Sequence, residues 1–484
     1  MLPKLKLSYY NFFVPYEKEQ LYIIYNSLSN SMIQLDWETG KRVSKLNSME
    51  IHYLDGEVIE MLMKYGMVIS SDIDEFDVVA DRANANREKC DRSDTLFMVI
   101  APTNMCNMNC PYCYQGDKSA TNKDTKYLGK ENMDALKKFV EDTVYKPHAE
   151  PIKKIRIEWF GGEPLVRKKT VEEFSEFIIK LADENDIDFK ANIITNGSLL
   201  DAETWEMLER CRITDLQITI DGNKEMHDTM RVYLNGKGTY NKIMDNLAIM
   251  PDNKFHITIR INGDRKVFDG LSYMFDDLEE RGLWPQKSNL IDFEWAPKFY
   301  NYLGYNQDKD IYYTSYDYQK SREDFSLLKL KHYNNWAEKN DKRTRKLRVA
   351  YPSFAEFYCG TVESPNSVSI DDGGYVHKCY NTINDTDMRV QHISEFDVKK
   401  EGMEHYRKFD KTKEADCRTC KVLPICEESC NMRFVSKAES KLCSAWKYFM
   451  DERMISIFEQ NFSSQDEKPA PSQIVARSGS VEVC

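Results

Sequence analysis

The sequence Cys106-Asn-Met-Asn-Cys110-Pro-Tyr-Cys113 carries three cysteines in a C-x3-C-x2-C spacing, shortly after the apolar run Phe97–Ala101. A four-iron cluster is a cube whose irons each take one external ligand, usually a cysteine thiolate. Three neighbouring thiolates hold three irons and leave the fourth open to a ligand that is not protein. A structural zinc site would recruit a fourth Cys or His nearby, but the next cysteine is Cys211, far downstream. The spacing therefore favours an iron–sulfur cluster with one open iron.

Around this motif, from Leu96 to about Trp295, apolar runs alternate with helix-compatible stretches. Six βα repeats predict a parallel sheet covered by helices. The cysteine motif follows the first strand, which suits a barrel, because barrel active sites form on loops at the carboxyl ends of strands. The predicted strands are Phe97–Ala101, Ile155–Phe160, Ala191–Thr195, Leu216–Ile220, His256–Ile261 and Ile291–Trp295, and the helices are Glu131–Val144, Val171–Leu181, Ala202–Cys211, Tyr240–Ile249 and Gly270–Glu280.

Together the cysteine spacing, the aromatic Tyr112 before the last cysteine and the βα alternation resemble the radical S-adenosylmethionine (SAM) enzymes. The resemblance implies an α/β fold with a partial (β/α)6 TIM-like barrel over residues 96–296. It also implies a [4Fe-4S] cluster on Cys106, Cys110 and Cys113 whose open iron is chelated by SAM. A reductant such as flavodoxin or ferredoxin would deliver one electron, and SAM would split into methionine and a 5′-deoxyadenosyl radical.

A second motif, Gly161-Gly-Glu-Pro164, follows the second predicted strand directly. A carboxylate at a strand end can accept hydrogen bonds from an ammonium group, and glycines let the backbone approach a ligand closely. In radical SAM enzymes this segment binds the amino group of SAM, and the resemblance also implies that Arg231 pairs with the SAM carboxylate and that Asn262 contacts the nucleoside. His227 and Asp228 are interpreted as bracing the loop. The implied SAM-binding residues are Tyr112, Gly161, Gly162, Glu163, Pro164, Asn196, Thr219, Arg231 and Asn262.

Seven of the thirteen cysteines fall in one C-terminal block, which we call the C-terminal cysteine block. Its spacing resembles the SPASM domain of peptide and sulfatase maturases, over residues 356–450. The resemblance implies two auxiliary [4Fe-4S] clusters and so three clusters in all; two zinc knuckles are the alternative. The outer cluster would be held by Cys417, Cys420, Cys426 and Cys443, and the inner cluster by Cys359, Cys379 and Cys430.

Two departures from the family pattern narrow the function. Some members carry a further cysteine a few residues after the first SPASM cysteine, but the residues after Cys359 contain none. The inner cluster is therefore expected to keep an open iron or to use a ligand that is not cysteine. Sulfatase maturases place an Asp, acting as a base, directly after the second SPASM cysteine, whereas this chain has Tyr380. That position speaks against a sulfatase maturase.

The remaining segments are assigned from pattern. Residues 1–85 read as three strands followed by helices, which resembles a winged-helix leader-peptide-recognition domain; a plain packing domain is the alternative. Residues 75–95 are charged and are interpreted as a linker. Residues 297–355 are predicted to be an insertion with a helix around Glu323–Trp336, which either covers the barrel mouth or bridges in solvent. Residues 463–484 are rich in Ser, Pro and Glu and predict a frayed tail.

Composition limits the function further. The net charge of -12 and the lack of a continuous basic stripe argue against nucleic acid as a partner. No apolar run approaches the roughly 20 residues that span a bilayer, and the start of the chain has no apolar stretch of secretory length. We therefore expect a cytoplasmic protein with no membrane partner, in which clustered cysteines indicate metal rather than disulfides.

The sequence thus predicts a radical SAM oxidoreductase that modifies peptides. An open iron at the inner cluster could hold a substrate thiolate, so a thioether crosslink in a ribosomally made precursor with a leader sequence is the favoured product. A formylglycine-forming sulfatase maturase, a maturase that makes carbon–carbon bonds or epimerises residues, and a non-catalytic iron–sulfur carrier or sensor are the alternatives. The intact Gly161–Pro164 segment argues against the carrier, which does not need SAM.

Overall fold

The computed structural model describes residues 4–46, 51–116, 118, 127–145, 151–298, 308, 310–396, 406, 410–428, 442–462 and 477–478. The strands are β1 Leu5–Leu7, β2 Asn11–Tyr16, β3 Leu21–Asn26, β4 Ser31–Asp36, β5 Val68–Ser70, β6 Thr95–Ile100, β7 Lys154–Trp159, β8 Asp188–Thr195, β9 Ile213–Thr219, β10 His256–Gly263, β11 Ile291–Pro297, β12 Ser367–Ile370, β13 Tyr375–His377, β14 Gln391–His392 and β15 Arg477–Ser478. The α-helices are α1 Trp37–Val43, α2 Gly56–Lys64, α3 Glu75–Asp91, α4 Lys130–Tyr145, α5 Lys168–Glu184, α6 Ala202–Arg210, α7 Lys224–Met230, α8 Tyr240–Ala248, α9 Arg265–Asp269, α10 Leu271–Glu280, α11 Ser315–Lys339, α12 Gly360–Glu363, α13 Ala415–Arg418 and α14 Met450–Phe462.

A nine-stranded sheet forms the centre of the molecule, in the order β11-β10-β9-β8-β7-β6-β12-β13-β14. Strands β6 to β11 are parallel and lie in chain order, with helices between them, so the predicted βα architecture is confirmed. The sheet does not close into a ring: β11 is one edge and β14 the other. Its core lies between the sheet and helices such as α5 and α8, which bury Phe174 and Ile243.

Local sequence accounts for where the helices around the sheet begin. Asp201 accepts a hydrogen bond from the backbone N–H of Thr204 at the start of α6, and Asn223 accepts one from Met226 at the start of α7. Short polar side chains satisfy backbone donors that the first helical turn leaves free. Both helices therefore begin within a few residues of the preceding strand. The polar residues that follow β8 and β9 lie at the same edge of the sheet, because the two strands are parallel.

The C-terminal cysteine block extends the same sheet. Strand β12 pairs in parallel with β6, with Ser367 opposite Phe97, and β13 returns antiparallel. Helix α11 connects β11 to this block: Phe325 stacks on Trp295, and Gln319 donates a hydrogen bond to the carbonyl oxygen of Cys443 at 2.8 Å. The predicted helix in the insertion is thus present over Ser315–Lys339; it contacts both the sheet and the C-terminal cysteine block, and most of its other residues are partly or fully exposed.

The N-terminal segment supplies β2, β3 and β4 of a four-stranded sheet in the order β15-β4-β3-β2, together with α1 and α2, whereas β15 comes from residues 477–478. One face packs Ile24 and Ile33 against these helices. The other face packs Ile23 against Trp446 and α14 of the C-terminal part. The linker prediction for residues 75–95 was wrong, because α3 occupies most of that range.

Two expectations fall outside the described residues: Cys430, and all of the tail 463–484 except residues 477–478. Among the helices described, none combines the length and the apolar character that crossing a membrane requires.

Candidate functional site

The three cysteines of the motif lie on the loop that follows β6, which we call the cysteine loop (residues 103–116). Its turn is closed by a hydrogen bond from the backbone N–H of Cys113 to the carbonyl of Cys110, at 3.0 Å. The sulfur of Cys106 accepts hydrogen bonds from the N–H of Met108 at 3.4 Å and from the side-chain amide of Asn196 at 3.9 Å. Burial raises the pKa of the Cys106 thiol to about 12, and the Met108 N–H opposes that rise by favouring the thiolate form that binds a metal.

The backbone of the Gly161–Pro164 segment packs directly against the cysteine loop. The N–H of Gly162 donates to the carbonyl of Thr103 at 3.1 Å, and the N–H of Glu163 donates to that of Met105 at 2.8 Å. A Cβ at Gly162 would lie 2.3 Å from the Met105 oxygen, and Gly161 has a φ of +108° with the Thr103 oxygen 2.5 Å from its Cβ position. Both positions therefore require glycine, because the two backbones approach too closely for a side chain.

The carboxylate of Glu163 is completely buried and ties two strand ends together. It accepts hydrogen bonds from the Thr195 hydroxyl at 2.8 Å, from the Asn196 N–H at 2.7 Å and from the Leu165 N–H at 3.0 Å. Burial raises the pKa of Glu163, and these donors oppose the rise. Both carboxylate oxygens of Glu163 thus accept hydrogen bonds at the end of β8, and Glu163 is a positioning residue for Asn196. The part of the segment that faces the cysteine loop is the backbone of Gly161 and Gly162.

Arg231, Tyr112 and Asp221 form a buried polar group beside the cysteine loop. The guanidinium Nη1 of Arg231 donates to the Tyr112 hydroxyl at 2.7 Å and lies 3.8 Å from the Asp221 carboxylate. Tyr112 in turn donates to Asp221, which also accepts the N–H of Asn262 at 2.8 Å. Within the described chain, the buried Nε of Arg231 has no hydrogen-bond partner. A buried donor left unpaired costs about 1–3 kcal/mol, so this atom suits an anionic ligand such as a carboxylate.

His227 braces the loop that carries Arg231. Its Nδ1 accepts the N–H of Asp221 at 3.2 Å, and its Nε2 lies 3.0 Å from the hydroxyl of Thr239, which donates to the carbonyl of Arg231 at 2.8 Å. Burial lowers the pKa of His227 to about 3, so the imidazole is neutral. Asp228 accepts two backbone N–H groups at the start of α8. These contacts agree with the bracing interpretation of both residues.

The other predicted SAM-binding residues lie at the same edge of the sheet. Thr195 pairs with Ile218, and Thr219 pairs with Arg260, so the strand ends are aligned. Asn262 lies two residues after Arg260 on β10, and its side-chain oxygen accepts a hydrogen bond from Arg260 at 3.0 Å. Hydrogen bonds link the cysteine loop, which carries Tyr112, to Gly161, Gly162, Glu163, Asn196 and Arg231. Thr219 and Asn262 lie at the ends of neighbouring strands, and Pro164 follows Glu163; the binding of SAM by these residues stays a prediction.

Sequence reasoning missed three contributors to this site. Asp221 was a visible polar residue at a strand end, in Thr219-Ile-Asp-Gly222, but its pairing with Arg231 was not inferred. Gln115 donates to the carbonyl of Gly161 at 2.9 Å. Asp372 of the C-terminal cysteine block accepts hydrogen bonds at 3.2 Å from the backbone and the side chain of Asn104. These last two contacts join distant segments, which local patterns do not reveal.

The described cysteines of the C-terminal block lie in separate apolar groups. Cys359 and Cys379 pack around Val362 and Tyr406. Cys417 and Cys420 contact the apolar group that holds Leu423, and Cys420 and Cys426 contact the group around Trp446. The sulfur of Cys443 accepts a hydrogen bond from the Lys447 ammonium at 3.6 Å.

Over the described ranges, no three His, Cys, Asp or Glu side chains are arranged to hold a single metal ion. A single ion such as zinc takes each sulfur at about 2.3 Å, whereas a four-iron cube distributes its thiolates over separate irons. Both four-iron clusters and zinc sites use cysteine thiolates as ligands, so the two auxiliary clusters of this block stay a prediction from the cysteine spacing.

Comparison with known proteins agrees with this geometry. Residues 100–270 match the model of the radical SAM superfamily. A cysteine-type anaerobic sulfatase-maturating enzyme of Clostridium novyi is 32% identical over 169 residues, which are 34% of this chain and 43% of that protein. The radical SAM cyclopropyl synthase TigE of Paramaledivibacter caminithermalis is 20% identical over 296 residues, 57% of this chain and 61% of that protein. The matches thus span less than two thirds of these curated relatives.

A solved structure, native anSMEcpe with bound AdoMet and Cp18Cys peptide, is 16% identical and superposes with a TM-score of 0.50, over 76% of this chain and 97% of that chain. At this identity the likeness concerns the fold alone. Residues 100–270 of this chain are therefore a radical SAM domain, built on a mixed α/β fold with a parallel-strand sheet.

Proposed function

We propose that this protein is a radical SAM maturase that modifies a ribosomally made peptide, with a thioether between a cysteine sulfur and a carbon as the favoured product. When SAM and the cluster are bound, they supply a 5′-deoxyadenosyl radical that removes a hydrogen atom from an unactivated carbon. Joining that carbon to a cysteine sulfur releases the thiol proton and one electron. The reaction therefore needs an electron acceptor close to the SAM site.

One observation carries the proposal: the C-terminal cysteine block is built onto the strand that bears the cysteine loop. Strand β12 pairs with β6, and Asp372 holds Asn104 at the beginning of that loop. Two auxiliary clusters in this block would lie in the same rigid sheet as the SAM-binding cluster and would accept the electron. An oxidative modification requires a fixed distance between the substrate radical, which donates the electron, and the cluster that accepts it.

The chain's own residues would orient SAM. Cys106, Cys110 and Cys113 would hold the cluster, and the backbone of Gly161 and Gly162 would face the amino group. The buried Nε of Arg231 has no hydrogen-bond partner among the described residues, and Tyr112 fixes the same guanidinium through Nη1, which supports Arg231 as the partner of the carboxylate. Because Arg231 and Tyr112 are largely buried, the ligand would be bound in a site that excludes water.

Relatives support a peptide as substrate. The Clostridium novyi relative matures sulfatases, and the anSMEcpe structure holds a cysteine-containing peptide. The 32% identity to that relative makes a sulfatase-type, formylglycine-forming maturase the second candidate. Tyr380 argues against it: its ring packs edge-on against Phe160 at 5.6 Å, next to Gly161, where those enzymes have a carboxylate base. A phenol in an aromatic contact does not replace that base.

Residues 1–85 are proposed to bind the leader of the precursor, and flavodoxin or ferredoxin to deliver the electron in the cytoplasm. The N-terminal sheet has both faces covered, by α1 and α2 on one side and by α14 on the other. A leader would therefore contact this unit at an edge or on the outer side of its helices.

The test uses anaerobically reconstituted protein, which should hold about twelve irons in three four-iron clusters. Changing Cys106, Cys110 and Cys113 together to Ala should remove about four of them and abolish SAM cleavage. Mass spectrometry of a cysteine-rich peptide encoded beside the gene should show the loss of two hydrogens. Conversion of a sulfatase-derived cysteine peptide to formylglycine would instead establish the second candidate, and SAM cleavage by the triple variant would overturn both.

A further inference from the structure

Lys118 follows the last cysteine of the motif closely and is almost completely buried, with 2% of its surface exposed. Burying an ammonium is costly, because the charge leaves water and its three N–H groups need acceptors inside the protein. A buried lysine is therefore expected only where its contacts or its charge stabilise a neighbouring group. The contacts of Lys118 lead to the cysteine loop.

Lys118 fastens the chain that leaves the cysteine loop to two points within it. Its ammonium donates to the carbonyl of Asn104 at 2.8 Å, and its backbone N–H donates to the side-chain oxygen of Asn109 at 2.8 Å. Asn104 lies two residues before Cys106, and Asn109 directly precedes Cys110. The stretches in front of the first and the second cysteine are thus held by one lysine.

The same ammonium is linked to the glycine backbone that packs against the cysteine loop. It donates to the side-chain oxygen of Gln115 at 3.3 Å, and the Gln115 amide donates to the carbonyl of Gly161 at 2.9 Å. The Asn104 carbonyl that accepts from Lys118 also lies 2.4 Å from the Cβ position of Gly162. The ammonium therefore lies beside the contact between the cysteine loop and the glycine backbone.

The charge of Lys118 bears on a cluster in this loop. Both of these acceptors of its ammonium are neutral, a backbone carbonyl and a side-chain amide oxygen, so they leave the positive charge in place. The Asp372 carboxylate accepts two N–H groups of Asn104 instead. A four-iron cluster on three thiolates is anionic, and reduction adds a further negative charge. A cation in a buried site acts strongly on such a charge, because the protein interior screens less than water.

We propose that Lys118 is a positioning residue of the SAM-binding cluster, which fixes the cysteine loop against Gly161 and makes the cluster easier to reduce through its buried positive charge. The inference rests on the proposed function, which places that cluster on Cys106, Cys110 and Cys113. It concerns the step in which the donor, flavodoxin or ferredoxin, passes one electron to the cluster. In this step the donor is oxidised, the cluster is reduced, and Lys118 keeps its proton.

The experiment is a redox titration of the reconstituted protein, followed through the electron paramagnetic resonance signal of the reduced SAM-binding cluster. That signal is the one absent from the Cys106→Ala, Cys110→Ala, Cys113→Ala variant. Lys118→Gln keeps a donor for the Asn104 carbonyl but removes the charge. Reduction should then become about tenfold less favourable, which lowers the midpoint potential by about 59 mV for one electron.

Lys118→Arg keeps the charge and should keep the midpoint potential of the parent protein. Lys118 lines a cavity of about 580 Å³, which gives the larger guanidinium room. Lys130→Gln is the matched control, because Lys130 is exposed at the start of α4. This control should also titrate like the parent protein.

The proposal is overturned if Lys118→Gln loads the cluster and titrates at the potential of the parent protein. It is also overturned if Lys118→Arg shows the same fall in potential, because the retained charge would then have no effect. If Lys118→Gln takes up no SAM-binding cluster, Lys118→Arg decides: iron content and potential like those of the parent support the proposal, and loss of the cluster overturns it. A signal that persists in the triple cysteine variant would instead overturn the proposed cluster on those cysteines.

Discussion

The guanidinium of Arg231 lies 3.8 Å from the carboxylate of Asp221, and the two side chains are only 10% and 0% exposed. Burial raises the pKa of the Asp221 carboxyl, and the Arg231 charge opposes that rise. Tyr112, one residue before the last cysteine of the motif, bonds to both. The cysteine loop is thereby fixed to the group that we propose binds the SAM carboxylate.

Changing Arg231 to Lys should weaken SAM binding by about tenfold or more, a loss of about 1.4 kcal/mol. An ammonium keeps the charge but cannot contact Tyr112 and a ligand carboxylate with separate N–H groups of one planar fork. Arg231→Ala should in addition destabilise the protein by about 3–5 kcal/mol, because it leaves the Asp221 charge buried and unpaired. Equilibrium dialysis with SAM and denaturant unfolding measure the two effects.

Arg210→Lys is the matched control for this prediction. Arg210 pairs with Glu172 at 2.7 Å, but the side chains are 59% and 32% exposed. Exposed pairs contribute about 0–1 kcal/mol, so neither SAM affinity nor stability should change measurably. Wild-type SAM affinity in Arg231→Lys would show that the carboxylate is bound elsewhere.

Gly162→Ala should deplete the SAM-binding cluster selectively. Its Cβ would meet the carbonyl oxygens of Met105 and Asn104 at 2.3 and 2.4 Å, so the cysteine loop must move. We expect a loss of about four irons and of SAM cleavage while the auxiliary clusters stay loaded. Iron analysis and electron paramagnetic resonance distinguish this from general unfolding.

Gly56→Ala provides the comparison, because nothing lies within 4 Å of a Cβ at Gly56, at the start of α2. It should retain all clusters and full SAM cleavage. If Gly162→Ala also retained them, the close packing between the two backbones would not be needed for cluster assembly.

The alternation of apolar runs and helical stretches was sufficient to predict the six parallel strands β6 to β11. The charged segment around α3 was misassigned although its buried residues Glu75, Val79, Ala83 and Cys90 do lie on one helical face. The other thirteen of its seventeen positions carry many charged side chains, and these hid the helical spacing of the buried residues. The pairing of β12 with β6 was not predicted because nothing local to either strand specifies it.

In the candidate site, the residues that motifs identify are those at strand ends, such as Asn196 and Thr219. The supporting contacts are less accessible to sequence reasoning. Asp372 on Asn104 joins the cysteine loop to the C-terminal cysteine block, and each of these residues alone is an ordinary turn former. Spacing therefore reveals ligands better than it reveals the residues that position them.

His227 should make stability depend on pH. Its pKa falls from 6.5 to about 3 on burial. Between these values the unfolded chain binds a proton that the folded chain does not, so the unfolding free energy decreases as the pH falls below 6.5, by up to about 1.4 kcal/mol per pH unit. His227→Asn should be less stable near neutral pH but should lose less stability on acidification.

Denaturant unfolding at several pH values from about 7.5 to about 5.5 samples the upper end of this window, where the loss of stability begins. The exposed His52 is the control, and His52→Asn should keep the pH dependence of the parent protein. An identical dependence in His227→Asn and in the parent would mean that the folded protein accommodates a proton at His227.

Two adjacent residues of β3 test how the N-terminal sheet is joined to the C-terminal part. Ile23 and Ile24 are both fully buried but face opposite ways. Ile23 packs with Trp446 and against Cys420 and Cys426, whereas Ile24 packs against α1 and α2. Ile→Ala at either position should cost about 2–5 kcal/mol.

Only Ile23→Ala should also release iron from the outer cluster faster when a chelator is added. The cavity left by this substitution adjoins the apolar side chains that contact Cys420 and Cys426, two of the cysteines proposed to hold that cluster. Each protein is measured at a denaturant concentration equally far below its own unfolding midpoint. Under these conditions Ile24→Ala should release iron at a rate close to that of the parent protein. Equal release from both variants would mean that the outer cluster is insulated from the N-terminal sheet. Faster release from Ile23→Ala alone would show that the N-terminal sheet supports the outer cluster.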